Sequence, residues 1–107
     1  ENKEWDFLAL YLNEIDVFSH VFMKYHPPRQ EHVDEQEFEW YKEVINGAYM
    51  WHDMLLDRLM DLAGDEVTFV LVSDHGFHSD HLRLKELPKD PVAPAFEHAP
   101  YGVVCIS

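Results

Sequence analysis

The stretch Val67-Thr68-Phe69-Val70-Leu71-Val72, running directly into Ser73-Asp74-His75-Gly76-Phe77, decides how the rest of the chain is read. Its first six residues are β-branched or apolar on both alternating faces, which predicts a short strand. A strand apolar on both faces belongs in the middle of a parallel sheet covered by helices. Two ionisable residues, Asp74 and His75, follow at once, and Gly76 permits a tight turn there. A carboxylate at a strand terminus is costly to bury unless donors or a cation compensate it. The structural alternative is a plain turn in which Asp74 caps the next segment.

Upstream of that strand lies a helical pattern. Asp34, with Glu37 three residues on, has the form of an N-terminal capping box. Phe38, Tyr41, Ile45, Ala48, His52, Leu55, Leu59 and Leu62 then advance by three and four. This predicts one helix of roughly seven turns at about 3.6 residues per turn, with Gly64 placed to end it. Asp53, Asp57 and Asp61 line another face, as a solvated helix surface does. His52 falls on the apolar stripe and reads as a packed histidine. Further upstream, Trp5 to Ile15 (WDFLALYLNEI) is nearly continuously apolar through Leu12 and reads as a buried strand, with a short helix as the rival. Val17 to Met23 can start a helix, which His26-Pro27-Pro28 ends. Downstream, a loop rich in His, Pro and charge runs to about Pro100, and Tyr101 to Ile106 reads as a last strand. The order strand, helix, strand, loop, strand is α/β, and functional groups in such sheets collect at the carboxyl ends of strands. Asp16 and Asp74-His75 both fall there.

Composition narrows the function. The 107 residues, 47% hydrophobic and 27% charged, suffice for one small core. Acidic residues outnumber basic ones 21 to 8, for a formal charge of −13, which disfavours a bare nucleic-acid-binding surface or an anionic lipid partner. Eight His with many carboxylates and one Cys suit a hard or borderline divalent metal better than a thiolate site. Cys105 alone excludes an intrachain disulfide. No apolar run has the length of a transmembrane helix, and Glu1-Asn2-Lys3-Glu4 lead into the strand-like run without the form of a secretory signal.

Candidate ligands follow. Asp16 and His20, four apart, share a face if a helix begins near Asp16, and such a pair can chelate one divalent ion. The alternative is an N-cap aspartate beside a half-buried histidine. His98 precedes the final strand. His78 and His81 lie near His75, Asp74 and Asp80, and a local cluster of the three imidazoles is a second way to hold metal. His26 and His32 have no partner that sequence can name.

The ordered set of strand and Asp-x-x-x-His, long helix, strand and Ser-Asp-His-Gly-Phe, loop, His-x-x-x-Gly and strand resembles the metal-binding half of the alkaline phosphatase superfamily. Within it the chain is most similar to the type I phosphodiesterase/nucleotide pyrophosphatase branch, from about Trp5 to Ser107. Tyr41 to Leu62 is similar to that family's helix leading to the Ser-Asp-His-Gly strand. The resemblance implies part of a three-layer α/β/α fold with a short, mostly parallel sheet, in a single partial domain over residues 1–107. It implies two zinc ions, or another divalent metal such as manganese: one held by Asp16, His20 and His98, the other by Asp74 and His75. It implies hydrolysis of phosphate esters, phosphodiesters or nucleotide pyrophosphates, through a covalent phosphoryl- or nucleotidyl-enzyme. A phosphomutase or a sulfatase of the same superfamily, and a non-enzymatic acidic metal-binding module built on His75, His78 and His81, are the rival readings.

Two departures stand out. The family often has Gly before the His of the first motif, where this chain has Ser19. The family's nucleophile, a Thr or Ser, and a further Asp ligand lie upstream of the first motif; Thr68, Ser19, Ser73 and Ser79 do not match that context. The chain is therefore expected to be part of a larger enzyme and inactive alone. A sheet lacking upstream strands leaves an unpaired edge, which predicts a homodimer or larger species.

Overall fold

A computed structural model describes residues 5–89 and 91–107. The Glu1–Glu4 lead, read above for a secretory signal, lies outside them. Helix α1 spans Glu14–Phe22 and runs into a 3₁₀ turn at Met23–Tyr25. Two further helices follow, α2 at Glu35–Tyr41 and α3 at Val44–Ala63. The strands are β1 (Val70–Ser73), β2 (Gly76–Phe77), β3 (His98–Ala99) and β4 (Val103–Ile106). Among the described residues, no helix is long and apolar enough to cross a membrane.

The helix signals act locally as expected. Asp34 Oδ1 accepts the Glu37 N–H at 2.9 Å, capping α2. The Glu37 carboxylate does not return to Asp34 but accepts from the Tyr25 hydroxyl at 2.9 Å. Gly64 adopts φ +83° and its N–H reaches the Met60 carbonyl at 3.0 Å, a left-handed exit that favours glycine. The single long helix of the sequence reading is two helices. Lys42 and Glu43 stay right-handed (Glu43 φ −98°, ψ −1°), and Phe38, Tyr41, Ile45, Ala48, His52, Leu55 and Leu59 are all half-buried or buried, so the three-and-four stripe continues across the break. Tyr41 at the end of α2 closes on Phe22 and Tyr25, with ring centroids 5.4 and 5.0 Å away, while α3 packs along α1. Ser19, 1% exposed, Ile45 and Ala48 are buried on these two helices.

The sheet departs from expectation. Both sheets are two-stranded and antiparallel, not one mostly parallel sheet inside three layers. β1 pairs with β4 in the register Val70↔Ile106 to Ser73↔Val103, and β2 pairs with β3 through Gly76↔Ala99 and Phe77↔His98. Parallel pairing needs a long crossover, usually a helix. The chain instead folds back through the β2–β3 pair and returns β4 in the opposite sense, the helical elements among the described residues between Asp74 and Gly102 being short 3₁₀ turns at Asp80–Leu82 and Ala93–Glu97. Trp5 to Asn13 forms no strand, and Phe7 and Tyr11 are 83% and 90% exposed. All four residues of β1 and of β4 are also exposed. The radius of gyration is 17.2 Å, against about 13 Å for a compact chain of this length. Much of the apolar surface the sequence assigned to a buried sheet is thus uncovered within the chain.

A buried polar side chain joins the segment after α1 to the 3₁₀ turn at Asp80–Leu82. Arg83 is 6% exposed. Its Nε donates to the Asp80 carbonyl (2.9 Å), its Nη1 to the carbonyls of Met23 (2.9 Å), Lys24 (3.4 Å) and His26, and its Nη2 to that of Pro28. A guanidinium fork suits such a row of carbonyls at a helix end. Burial lowers the Arg83 pKa from its ordinary value, with the nearby Asp80 carboxylate acting the other way; the group stays charged at neutral pH.

Candidate metal centre

The carboxyl end of β1 and the first turns of α1 face the same point. Asp16 and His20, one helical turn apart on α1, approach to 3.6 Å between Oδ1 and Nε2. His98, the first residue of β3, brings its Nε2 to 3.7 Å from Asp16 Oδ1 and 3.1 Å from His20 Nε2. Among the described residues, Asp16, His20 and His98 form the one group of three whose donor atoms all lie within 4.8 Å of one another. Asp16 Oδ1 is buried and has no hydrogen-bond partner.

Those separations fit a cation. Ligand bonds of about 2.0–2.1 Å in a tetrahedral zinc site put neighbouring donor atoms about 3.4 Å apart. The three edges here, 3.1, 3.6 and 3.7 Å, bracket that value. An orphaned buried carboxylate oxygen is otherwise expensive.

His75 joins the same group. Its Nε2 is 3.7 Å from Asp16 Oδ1 and 3.8 Å from Asp74 Oδ1, and its ring stacks on His98 with centroids 3.6 Å apart at 12°. Its Nδ1–H donates to the Gly76 carbonyl at 3.1 Å, leaving Nε2 free to act as a ligand. The Asp74 side chain is 92% exposed. The sequence kept His75 with Asp74; in the fold its Nε2 lies between two carboxylates. Phe77 meets His20, His98 and His75 edge-on, at centroid distances of 4.9, 5.1 and 5.7 Å. That ring packs against all three imidazoles. Burial, then the neighbouring His75 and His20, lower the His98 pKa from its ordinary value, against the pull of Asp16 and Asp74. His98 is thereby kept in the neutral form that a metal ligand requires.

Other sequence candidates fall elsewhere. His81 is 81% exposed and stands 3.9 Å from Asp80. His78 contributes a backbone N–H to the Glu97 carbonyl at 2.9 Å. His52 is packed as expected: its side chain is 13% exposed, Nδ1 lies 2.8 Å from the Ala48 carbonyl and Nε2 lies 3.5 Å from Glu14 Oε2. Among the described residues, the imidazoles of His75, His78 and His81 do not form a metal-holding group. Gly102, the glycine of His-x-x-x-Gly, passes so close to the end of β1 that a Cβ there would lie 1.8 Å from the Ser73 carbonyl oxygen. Glu97, whose Oε2 is 2.7 Å from His20 Nδ1, and Arg83 were not among the sequence candidates. An acidic residue directly before a candidate ligand is the only trace Glu97 leaves in the sequence, and Arg83 leaves none.

The model of the type I phosphodiesterase / nucleotide pyrophosphatase family matches residues 1–88. The chain belongs to that family. No curated protein and no solved structure matched it. The family match covers Asp16, His20, Asp74 and His75 and stops short of His98, which the structure brings to Asp16 and His20.

Proposed function

We propose that this chain carries the metal-binding part of a metal-dependent phosphoric ester hydrolase acting on phosphodiesters or nucleotide pyrophosphates. Asp16, His20 and His98 hold one zinc ion, and Asp74 and His75 contribute to a second. The observation that carries this reading is Asp16 Oδ1, buried, without a hydrogen-bond partner, and faced by three imidazole Nε2 atoms at 3.6–3.7 Å. Two divalent cations supply charge neutralisation for a transferring phosphoryl group and polarise the attacking and leaving oxygens. The chain's own residues bind and orient. Asp16 joins the two ligand sets, the backbone acceptor at Gly76 fixes the His75 ring, and Phe77 packs against the imidazoles. The nucleophilic Thr or Ser belongs to a segment outside these residues, so the chain alone binds metal without turnover. Its uncovered strands associate with those of a second copy.

Calorimetric titration with zinc tests the reading. One tighter site is expected, abolished in His20→Ala, together with a weaker one reduced in His75→Ala. Binding in His20→Ala equal to that of the unaltered chain would overturn the assignment.

A further inference from the structure

We infer that Glu97 is a positioning residue that presets the tautomer of His20 for metal binding. The inference rests on the metal-centre reading above and adds a residue that the ligand set does not contain. Glu97 Oε2 lies 2.7 Å from His20 Nδ1, with both side chains mostly buried. An ionised carboxylate only accepts, so the shared hydrogen sits on Nδ1 and the lone pair on Nε2. Nε2 is the atom that approaches Asp16 and His98. A neutral imidazole left to itself prefers its hydrogen on Nε2, the form unable to bind metal there. Glu97 reverses that preference.

The backbone explains how Glu97 reaches its place. It ends the 3₁₀ turn Ala93–Glu97, and His98 opens β3. The Glu97 carbonyl accepts from the His78 N–H at 2.9 Å, and His98 pairs with Phe77. Residues 97 and 98 are thus locked to residues 77 and 78. Two consecutive side chains then grip one imidazole from opposite edges, Glu97 at Nδ1 and His98 at Nε2. A carboxylate behind a ligating histidine also raises the basicity of the ligating nitrogen.

Two measurements on the isotope-labelled chain test this. In the metal-free chain at mildly alkaline pH, where imidazoles are neutral, long-range proton–nitrogen correlation spectra report the tautomer of His20. Nδ1–H is expected in the unaltered chain and in Glu97→Gln, whose amide oxygen still accepts, and Nε2–H in Glu97→Ala. Zinc calorimetry should show affinity about 10- to 100-fold weaker in Glu97→Ala and a smaller loss in Glu97→Gln. If the unaltered chain binds no zinc, the metal-centre reading fails and this inference falls with it. If it binds zinc, loses it in His20→Ala, and shows the same affinity and His20 tautomer in Glu97→Ala, the inference alone is overturned. Equal losses in both Glu97 variants with an unchanged His20 tautomer also overturn it, because a merely structural carboxylate would act that way.

Discussion

Replacing Arg83 by Met keeps most of the side-chain volume and removes every hydrogen bond that it makes. Five backbone carbonyls lose their shared donor: those of Met23, Lys24, His26, Pro28 and Asp80. Hydrogen bonds from a charged group are worth about 1.5–3 kcal/mol each. Since all five depend on one guanidinium, counting two at the lower figure gives about 3 kcal/mol. A chain of this length has a total stability of about 5–15 kcal/mol, so the loss is a large share of it. With a urea slope of about 1–3 kcal/mol per molar, the midpoint should fall by about 1–3 M with little change in slope. Arg83→Lys should fall part-way, because an ammonium cannot span the same row of acceptors. Urea unfolding followed by tryptophan fluorescence and far-UV circular dichroism reads both variants. A midpoint for Arg83→Met within about 0.3 M of the unaltered chain would refute the claim that this side chain joins the end of α1 to the segment following β2.

Gly102→Ala should be among the most damaging single-methyl additions, lowering the thermal midpoint and weakening zinc binding together, since the added carbon would sit 1.8 Å from the Ser73 oxygen, next to Asp74. Thermal unfolding and zinc calorimetry on that variant check it; a midpoint equal to that of the unaltered chain would contradict the close approach. Static light scattering at rising concentration should show a dimer or larger species, because both strands of the β1–β4 pair are exposed along their length. A clean monomer throughout would count against strand-mediated association.

How much of this was legible in the sequence depends on the range of the force involved. Caps are set by residues three or four apart, and Asp34 and Gly64 marked the outer limits of what are two helices, α2 and α3. The strand before Asp74 and the one ending at Ile106 were found from β-branched content, although the observed β1 and β4 are shorter than those stretches. Strand direction was not legible. An apolar run such as Val67–Val72 has the same pattern whether its neighbour runs parallel or antiparallel, and the neighbour is chosen by the path of residues 74–102. Trp5–Leu12 failed for a related reason: apolar content marks a wish to be buried, not the presence of something to bury it. The break at Lys42 and Glu43 is hidden because the apolar stripe continues across it. At the candidate metal centre, the four-residue spacing of Asp16 and His20 was visible in the sequence, whereas His98 was joined to them only through the family resemblance. Glu97 and Arg83 act through contacts between residues more than fifty positions apart, where spacing conveys nothing.

That separation has a consequence for endurance. His20 and His98 stand 78 positions apart, and joining the ends of so long a loop costs about 4 kcal/mol of chain entropy. An ion gripping both would serve as a reversible staple, in the role a disulfide plays in other small proteins. Resistance to heat would then rise and fall with the free-metal level around the molecule, and a chelator would act on it as a reductant acts on a cystine bridge.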